Sequence, residues 1–207
     1  MRTDVQSVDF GASPAAHAAL LGGSIDLYPT SGTNQMLLNG NTVSGPKQLV
    51  QVYSHQSAAP SVLLARRELA AGKSLQEAMR SLKGKTFGVP ALGSEGRALA
   101  RALLKHAGPD AERDVSYLAV GLGPQAVASF QAKQADAVVA FTPVTIVLEE
   151  KGAHTVFDMA GSKGIELLTR WTVAVYVTTR EKATADADKL RRLQQAWQRH
   201  PPSPGTR

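Results

Sequence analysis

Two stretches decide how this chain is read: VDFGASPAAHAALLGGSIDLYPT, from Val8 to Thr30, and VGLGPQAVASFQAKQADAVVAFTP, from Val120 to Pro143. They follow one plan at a constant offset, without a gap. Gly11 matches Gly121, Pro14 matches Pro124, Ala16 and Ala18 match Ala126 and Ala128, and Asp26 matches Asp136. Each reads as a Gly-containing turn, a proline at the first helical position, a short helix, then Asp and an apolar strand. Two copies so far apart in the chain predict two α/β lobes of similar construction, with a ligand held between them.

The flanking sequence continues the alternation. Strands are expected at Val5–Phe10, Ile25–Tyr28, Leu49–Tyr53, Ser61–Ala65, within Lys83–Pro90, at Val115–Ala119, at Ala137–Phe141 and at Thr172–Thr178. Ser13 with Pro14 opens a helix that stops at Gly22-Gly23, and a short helix is expected around Gln35–Leu38. Ser74 with Glu77 forms a capping box for a helical turn through Leu82. Gly93-Ser94 opens a helix over Glu95–Ala107, closed by Gly108-Pro109. Further helices are expected over Pro124–Lys133, Pro143–Lys151 and Asp186–Arg199, the last with Leu190, Leu193 and Trp197 on one face. Strands that alternate with helices predict α/β architecture with largely parallel sheets. In such sheets ligands sit beyond the C-terminal strand ends. Here those places are Gly11–Ser13, Thr30–Thr33, Pro90–Ser94, Gly121–Gly123 and Phe141–Thr142.

Composition narrows the function classes. At 207 residues the chain holds one sizeable domain or two small ones, and no apolar run is long enough for a membrane-spanning helix. No hydrophobic segment of a secretory signal follows Met1, so the expectation is a cytosolic chain or one whose start is missing. The net charge of +6 comes from scattered basic residues, enriched only on the face of the last helix, and no basic stripe is interleaved with aromatics. Nucleic acid is therefore not an expected partner. The absence of cysteine excludes disulfides, thiolate metal sites and cysteine nucleophiles.

Motifs for chemistry fail one by one. Gly84-Lys85-Thr86 resembles the end of a phosphate-binding loop, but Met79 stands where the motif needs glycine and a strand follows the lysine. Gly121-Leu122-Gly123 is half of a dinucleotide fingerprint, with Ala126 at the third position, and reads as a tight turn. His17, His55, His106, His154 and His200 lack metal-ligand spacing and read as surface or capping residues. No Gly-x-Ser-x-Gly elbow occurs. Asp26 and Asp136 read as turn and capping residues at strand starts. What remains is a set of small polar residues at βα turns, where helix N–H groups and a hydroxyl can hold an anion. Ser94 after Gly93 is the leading case, with simple helix capping as its structural alternative. Thr30-Ser31-Gly32 and Thr142 are of the same kind.

LKGKTFGVPALGSEGRALARALLKHAG (Leu82–Gly108), an acidic turn (Pro109–Asp114), a strand and then GPQAVASFQAKQADAVVAFTP (Gly123–Pro143) resemble the nitrate/sulfonate/taurine group of substrate-binding proteins of ABC importers. FGASPAAHAALLGGSIDLYPTSG (Phe10–Gly32) resembles the corresponding segment of that family's first lobe. The resemblance runs from Val5 to Trp197 and implies a two-lobed type II periplasmic-binding-protein fold. It places lobe one, incomplete, at 1–59 plus 172–207 and lobe two at 60–171, with hinges at Ser57–Ser61 and Thr169–Thr172. Carried residue by residue, it implies ligand contacts at Ser13, Thr30, Ser31, Gly93, Ser94 and Thr142. It further implies a monomer that carries a small anion, takes no cofactor, performs no catalysis and docks on a membrane permease from the periplasm or cell surface. Family members normally begin with an export signal, a strand and a ligand-contacting loop, and continue through further helices. By that measure the chain is expected to be truncated at both ends. Two other classes are weighed: a thiamine-pyrimidine-precursor synthase-like enzyme, which needs cysteine, and a ligand-sensing domain of a transcription regulator, which needs a helix-turn-helix before Val5.

Overall fold

The computed structural model describes residues 5–10, 13–30, 43–55, 61–161 and 174–199. The chain divides into two compact units: Met1–Phe10 with Ala15–Ala58 and Trp171–Arg207, and Gly11–Pro14 with Ala59–Arg170.

The first unit is built on a three-stranded sheet. Its strands are β1 (Tyr28–Thr30), β2 (Leu49–His55) and β8 (Ala174–Thr179), in the order β1-β8-β2. Both pairings are antiparallel, a departure from the parallel sheet expected, because β8 enters between β1 and β2 in the reverse direction. Helix α1 (Ser13–Leu21) supplies Leu20 to a core of Leu49, Val175 and Val177. It ends where the sequence places the stop. Gly23 takes φ +78°, its N–H donates to Leu20 O at 3.2 Å, and Ser24 N–H donates to Ala19 O at 2.9 Å. That pair of bonds is the Schellman motif, and it needs the left-handed conformation that glycine adopts without strain. After β8 come two helices, α7 (Arg180–Ala185) and α8 (Ala187–Arg199). Trp197 of α8 stacks 4.1 Å from the Tyr176 ring and 5.0 Å from the Tyr53 ring, centroid to centroid.

The second unit holds the larger sheet, ordered β5-β4-β6-β3-β7. Its strands are β3 (Val62–Arg66), β4 (Thr86–Val89), β5 (Ser116–Ala119), β6 (Ala137–Ala140) and β7 (Ala153–Asp158). β4 pairs in parallel with β5 and β6, while β3 is antiparallel to both β6 and β7. Four strands thus point one way and β3 alone is reversed. Between them run α2 (Arg67–Ala70), α3 (Leu75–Ser81), α4 (Glu95–Ala107), α5 (Pro124–Gln131) and α6 (Val144–Glu150). The expected capping box opens α3: Ser74 N–H donates to Glu77 Oε2 at 2.8 Å and Glu77 N–H donates to Ser74 Oγ at 3.3 Å. Helix α4 spans the residues expected and closes on Gly108 at φ +107°. Leu64, Ala126, Phe130, Val138, Ala140 and Leu148 form the core beneath α5 and α6.

Four expectations are corrected. Val5–Phe10 carries no regular structure, and Val5 and Val8 are 64% and 63% exposed. Apolar residues at 5, 8 and 10 do not keep the period of two that a half-buried strand requires. The strand placed at Ile25–Tyr28 begins only at Tyr28, where pairing with Val177 starts, while Ile25 packs against the core from the turn before it. Strand β7 and helix α7 were not anticipated. β7 (AHTVFD) is half polar and, among the described strands, pairs with β3 alone, and α7 (REKATA) has no apolar stripe and is opened by Thr179, whose Oγ1 accepts from Lys182 N–H at 3.2 Å. The expected helix at Gln35–Leu38 lies outside the described residues.

Candidate functional site

The sheet of the second unit gathers four turns on one edge. Val89 pairs with Ala119 and Gly88 with Val138, so parallel β4, β5 and β6 end together. Reversed β3 delivers its first residues to the same edge, since Val62 pairs with Ala140. The turns found there are Pro90–Ser94 into α4, Val120–Gly123 into α5, Phe141–Pro143 into α6, and Ser61 into β3. This is the edge at which open α/β sheets hold ligands.

Ser94 sits at the N-cap of α4 and is 7% exposed, yet its side chain does not cap the helix. Its Oγ donates to Ala91 O at 2.6 Å and accepts from Ala91 N–H at 3.3 Å. The hydroxyl therefore tightens the turn behind it and gives α4 no N-cap bond. Helix α4 is seated close on the sheet. A Cβ on Gly96 would stand 2.7 Å from Pro90 Cδ and 3.2 Å from Val139 Cγ1. Gly93 lies in the exposed turn before Ser94, and a Cβ there would meet Pro14 Cγ at 3.6 Å. Thr142 precedes a cis bond to Pro143 and is exposed, its Oγ1 3.4 Å from Oγ1 of buried Thr145. Gly121, at φ +69°, makes the tight turn that the half-fingerprint was read as.

Ser61 was not anticipated as a site residue. It is 1% exposed, its Oγ has no hydrogen-bond partner, and its carbonyl accepts from Met159 N–H at 3.1 Å. A serine before an apolar run carries no signal by itself. Only the register, with Val62 opposite Ala140, brings it to the edge where β6 ends.

The remaining predicted residues divide differently. Thr30 ends β1 in the first unit, with its Oγ1 3.5 Å from His17 Nε2. His17 is a correction to the reading of surface histidines. It is 5% exposed, meets the Tyr28 ring edge-on at 5.1 Å, and burial lowers its pKa from 6.5 to about 4. Ser13 is the first residue of α1, and Ser31 lies outside the described residues. The Oδ2 of Asp136 accepts from Thr86 N–H at 3.1 Å and its Oδ1 lies 3.5 Å from Arg66 Nε, at the sheet end opposite the turns. Asp26 Oδ1 lies 2.7 Å from Lys182 Nζ, and its carbonyl accepts from Thr178 Oγ1 at 2.7 Å.

Charge at the α4 end is already committed. Arg97 stacks over the Tyr117 ring at 4.8 Å, donates to Leu92 O at 3.3 Å, and pairs with Glu112 at 3.0 Å. An anion at this edge would therefore rest on backbone N–H groups and hydroxyls. The first unit has its own groove of about 880 Å³, lined by Val8, Phe10, Tyr28, Tyr176, Leu193 and Trp197 among others. Among the described residues, none of the predicted contacts lines it. Among the described residues, no group of three or more His, Asp or Glu could hold a metal, and no helix is long and apolar enough to cross a membrane.

Known structures share this architecture. A protein from Bordetella bronchiseptica RB50 superposes with a TM-score of 0.77 at 23% identity, covering 91% of this chain and 58% of that one. The alkanesulfonate-binding protein SsuA from Xanthomonas axonopodis pv. citri, bound to MOPS, gives 0.68 at 23% identity, over 90% and 58% of the two chains. The periplasmic aliphatic sulphonate binding protein SsuA from Escherichia coli gives 0.63 at 22%, over 93% and 62%. The chain thus spans about three fifths of the length of these proteins, and the likeness establishes its α/β substrate-binding-protein fold. No curated protein matches it. The model of the NMT1-like family matches residues 2–199, nearly the whole chain, and the chain belongs to that family.

Proposed function

We propose that this chain is a solute-binding component of an ABC-type importer, carrying a small anion of sulfonate, nitrate or carboxylate type to a membrane permease. The observation that carries the reading is the second unit's sheet edge, where three parallel strands converge and the first turn of α4 is left without a side-chain cap. The N-terminal turn of a 13-residue helix is the positive end of its dipole and favours an anion without any cationic side chain. Ser94 and Gly93 shape that turn, Thr142 offers a hydroxyl from the next strand end, and Thr30, Ser13 and Ser31 complete the proposed contact set. Membership of the NMT1-like family and the substrate-binding proteins among the structural neighbours support the same class. A chain without cysteine speaks against the thiamine-pyrimidine-precursor synthase-like enzyme, and binding without turnover would separate the two readings. In this reading the protein works as a monomer outside the cytoplasm, and 1–59 with 172–207 and 60–171 act as its two lobes.

Thermal unfolding with methanesulfonate, MOPS, nitrate and acetate tests the proposal. A saturable rise in melting temperature with at least one compound is expected, about 2.7 kcal/mol of stabilisation at a hundredfold excess over Kd. A sharp transition that none of the four moves would refute it.

A further inference from the structure

We propose that the groove of the first unit is a slot for one added β-strand, taken by an extended segment of a second polypeptide that is apolar at successive positions. The proposal concerns the first unit alone and stands apart from the solute reading. Among the described strands β1 pairs with β8 alone, so its other edge is open. The groove of about 880 Å³ runs along that edge, because Leu27, Tyr28 and Pro29 all line it. Successive side chains of a strand point to opposite faces, so a groove on one face of the sheet would meet only every second residue. A second run of chain, residues 5–8, lines the groove too. No backbone hydrogen bond ties those four residues to another described residue. An open sheet edge is a template for a further strand. Pro29 takes one donor from it, so an incoming strand is held there chiefly by its own N–H groups.

The two sides of the slot set the chemistry of the occupant. Val175 and Val177 of β8 pack with Leu20 of α1, and Ile25 and Tyr28 pack against that cluster. Tyr176, between the two valines, points the other way and stacks on Trp197 of α8. A strand beside β1 therefore lies between Ile25 and Tyr28 on one side and Leu190, Leu193 and Trp197 on the other, all of which line the groove. Strands covered on both faces read as near-continuous apolar runs rather than alternating ones. Helix α8 shows that its cover is incomplete. It carries Leu190, Leu193 and Trp197 along one face, yet none of its residues is buried, whereas an amphipathic helix ordinarily buries its apolar stripe. Charge selects the end of the strand. Lys182 lies 2.7 Å from Asp26 and 3.0 Å from Asp186, and Lys189 lies 2.8 Å from Asp186. Arg192, in the same lining, donates to Asp188 O at 3.3 Å and is paired with no carboxylate among the described residues. An acidic residue at the end of the added strand complements it.

The test uses the full chain and end-capped peptides of about six residues, a usual strand length, made of Val and Ile with Glu at both ends. Calorimetric titration should show saturable one-to-one binding, with amide hydrogen exchange slowed at residues 5–8 and at Leu27. A peptide with proline at every second position keeps apolar surface but loses its N–H donors, and should bind at least tenfold more weakly. Arg192→Glu, at an exposed position, should weaken the Glu-ended peptide about fivefold and tighten a Lys-ended one. No binding of the Val and Ile peptide would overturn the proposal. Equal binding of the proline peptide would overturn it too, because the groove would then accept any apolar molecule. Concentration-dependent dimers in sedimentation that slow exchange at the same amides without peptide would name a second copy of this chain as the occupant instead. Methanesulfonate binding is measured separately, so its failure sinks the solute reading and leaves the slot standing.

Discussion

Replacing Gly96 with alanine tests how α4 is seated over the site. The added Cβ would stand 2.7 Å from Pro90 Cδ, 3.2 Å from Val139 Cγ1 and 3.4 Å from Pro90 Cγ. Carbon atoms settle at roughly 3.5–4.0 Å, so the first contact is short by about 1 Å. Neither neighbour gives way easily. The proline ring is held by its own backbone, and Val139 is 1% exposed in β6, between β4 and β3. Overpacking of this kind costs about 1–3 kcal/mol. Alanine returns up to about 1 kcal/mol of helix propensity, and less in a first turn. The balance is a loss of about 1–2 kcal/mol, visible as a lower urea midpoint by circular dichroism without a change in slope. Solute affinity should fall with it, because relieving the overlap lifts the α4 turn from the sheet edge. A G96A protein as stable as wild type or more stable would refute the reasoning, since it would mean that α4 is not pressed on Pro90 and Val139.

Arg66→Ala should destabilise by about 1–3 kcal/mol in the same assay. Its guanidinium donates to Phe130 O at 2.6 Å and Ala135 O at 3.2 Å, lies over the Phe130 ring at 4.6 Å, and faces Asp136, so its removal takes one donor from each carbonyl and the partly buried counter-charge from the carboxylate, while Phe130 O keeps Lys133 N–H and Asp136 keeps Thr86 N–H. His17 should make stability depend on mild acid. Its folded pKa, about 4, lies below the ordinary 6.5, so the unfolded chain binds the proton more readily. The histidine's contribution is complete above about pH 6.5 and is lost as pH falls toward about 4, to the extent of about 1–2 kcal/mol after allowance for solvent screening. His17→Gln should remove that slope, and an unchanged pH profile would count against burial as its cause. The carboxyls of Glu77, Asp114 and Asp186, held low by hydrogen bonds and nearby lysines, lose their contributions only at more acid pH, which keeps the two windows apart.

Much of the second unit was legible because its signals are local. Ser74 and Glu77 announce a capping box, Gly108 closes α4, and the apolar runs at 62–66, 86–89 and 137–140 become strands. Ser94 and Thr142 reached one edge because turns after parallel strands must do so. The order β5-β4-β6-β3-β7 was not legible, since it depends on which edges remain open after the helices pack. β7 escaped notice because an edge strand needs no apolar alternation on its outer side. Ser94 shows the limit most plainly: its type and place say helix cap, yet the turn at Ala91 captures the hydroxyl first. Ser61 and His17 share a different obstacle, because a hydroxyl or imidazole acquires meaning only from burial and register, which no local pattern encodes.

Amide shift mapping during titration with methanesulfonate tests the central claim most directly, because it reports both binding and place. The account expects saturable shifts for the N–H groups of Ser94–Arg97, Gly121–Gly123 and Thr142, at the converging strand ends of the second unit. Shifts confined to the groove beside Tyr176 and Trp197, or no shifts at all, would contradict it.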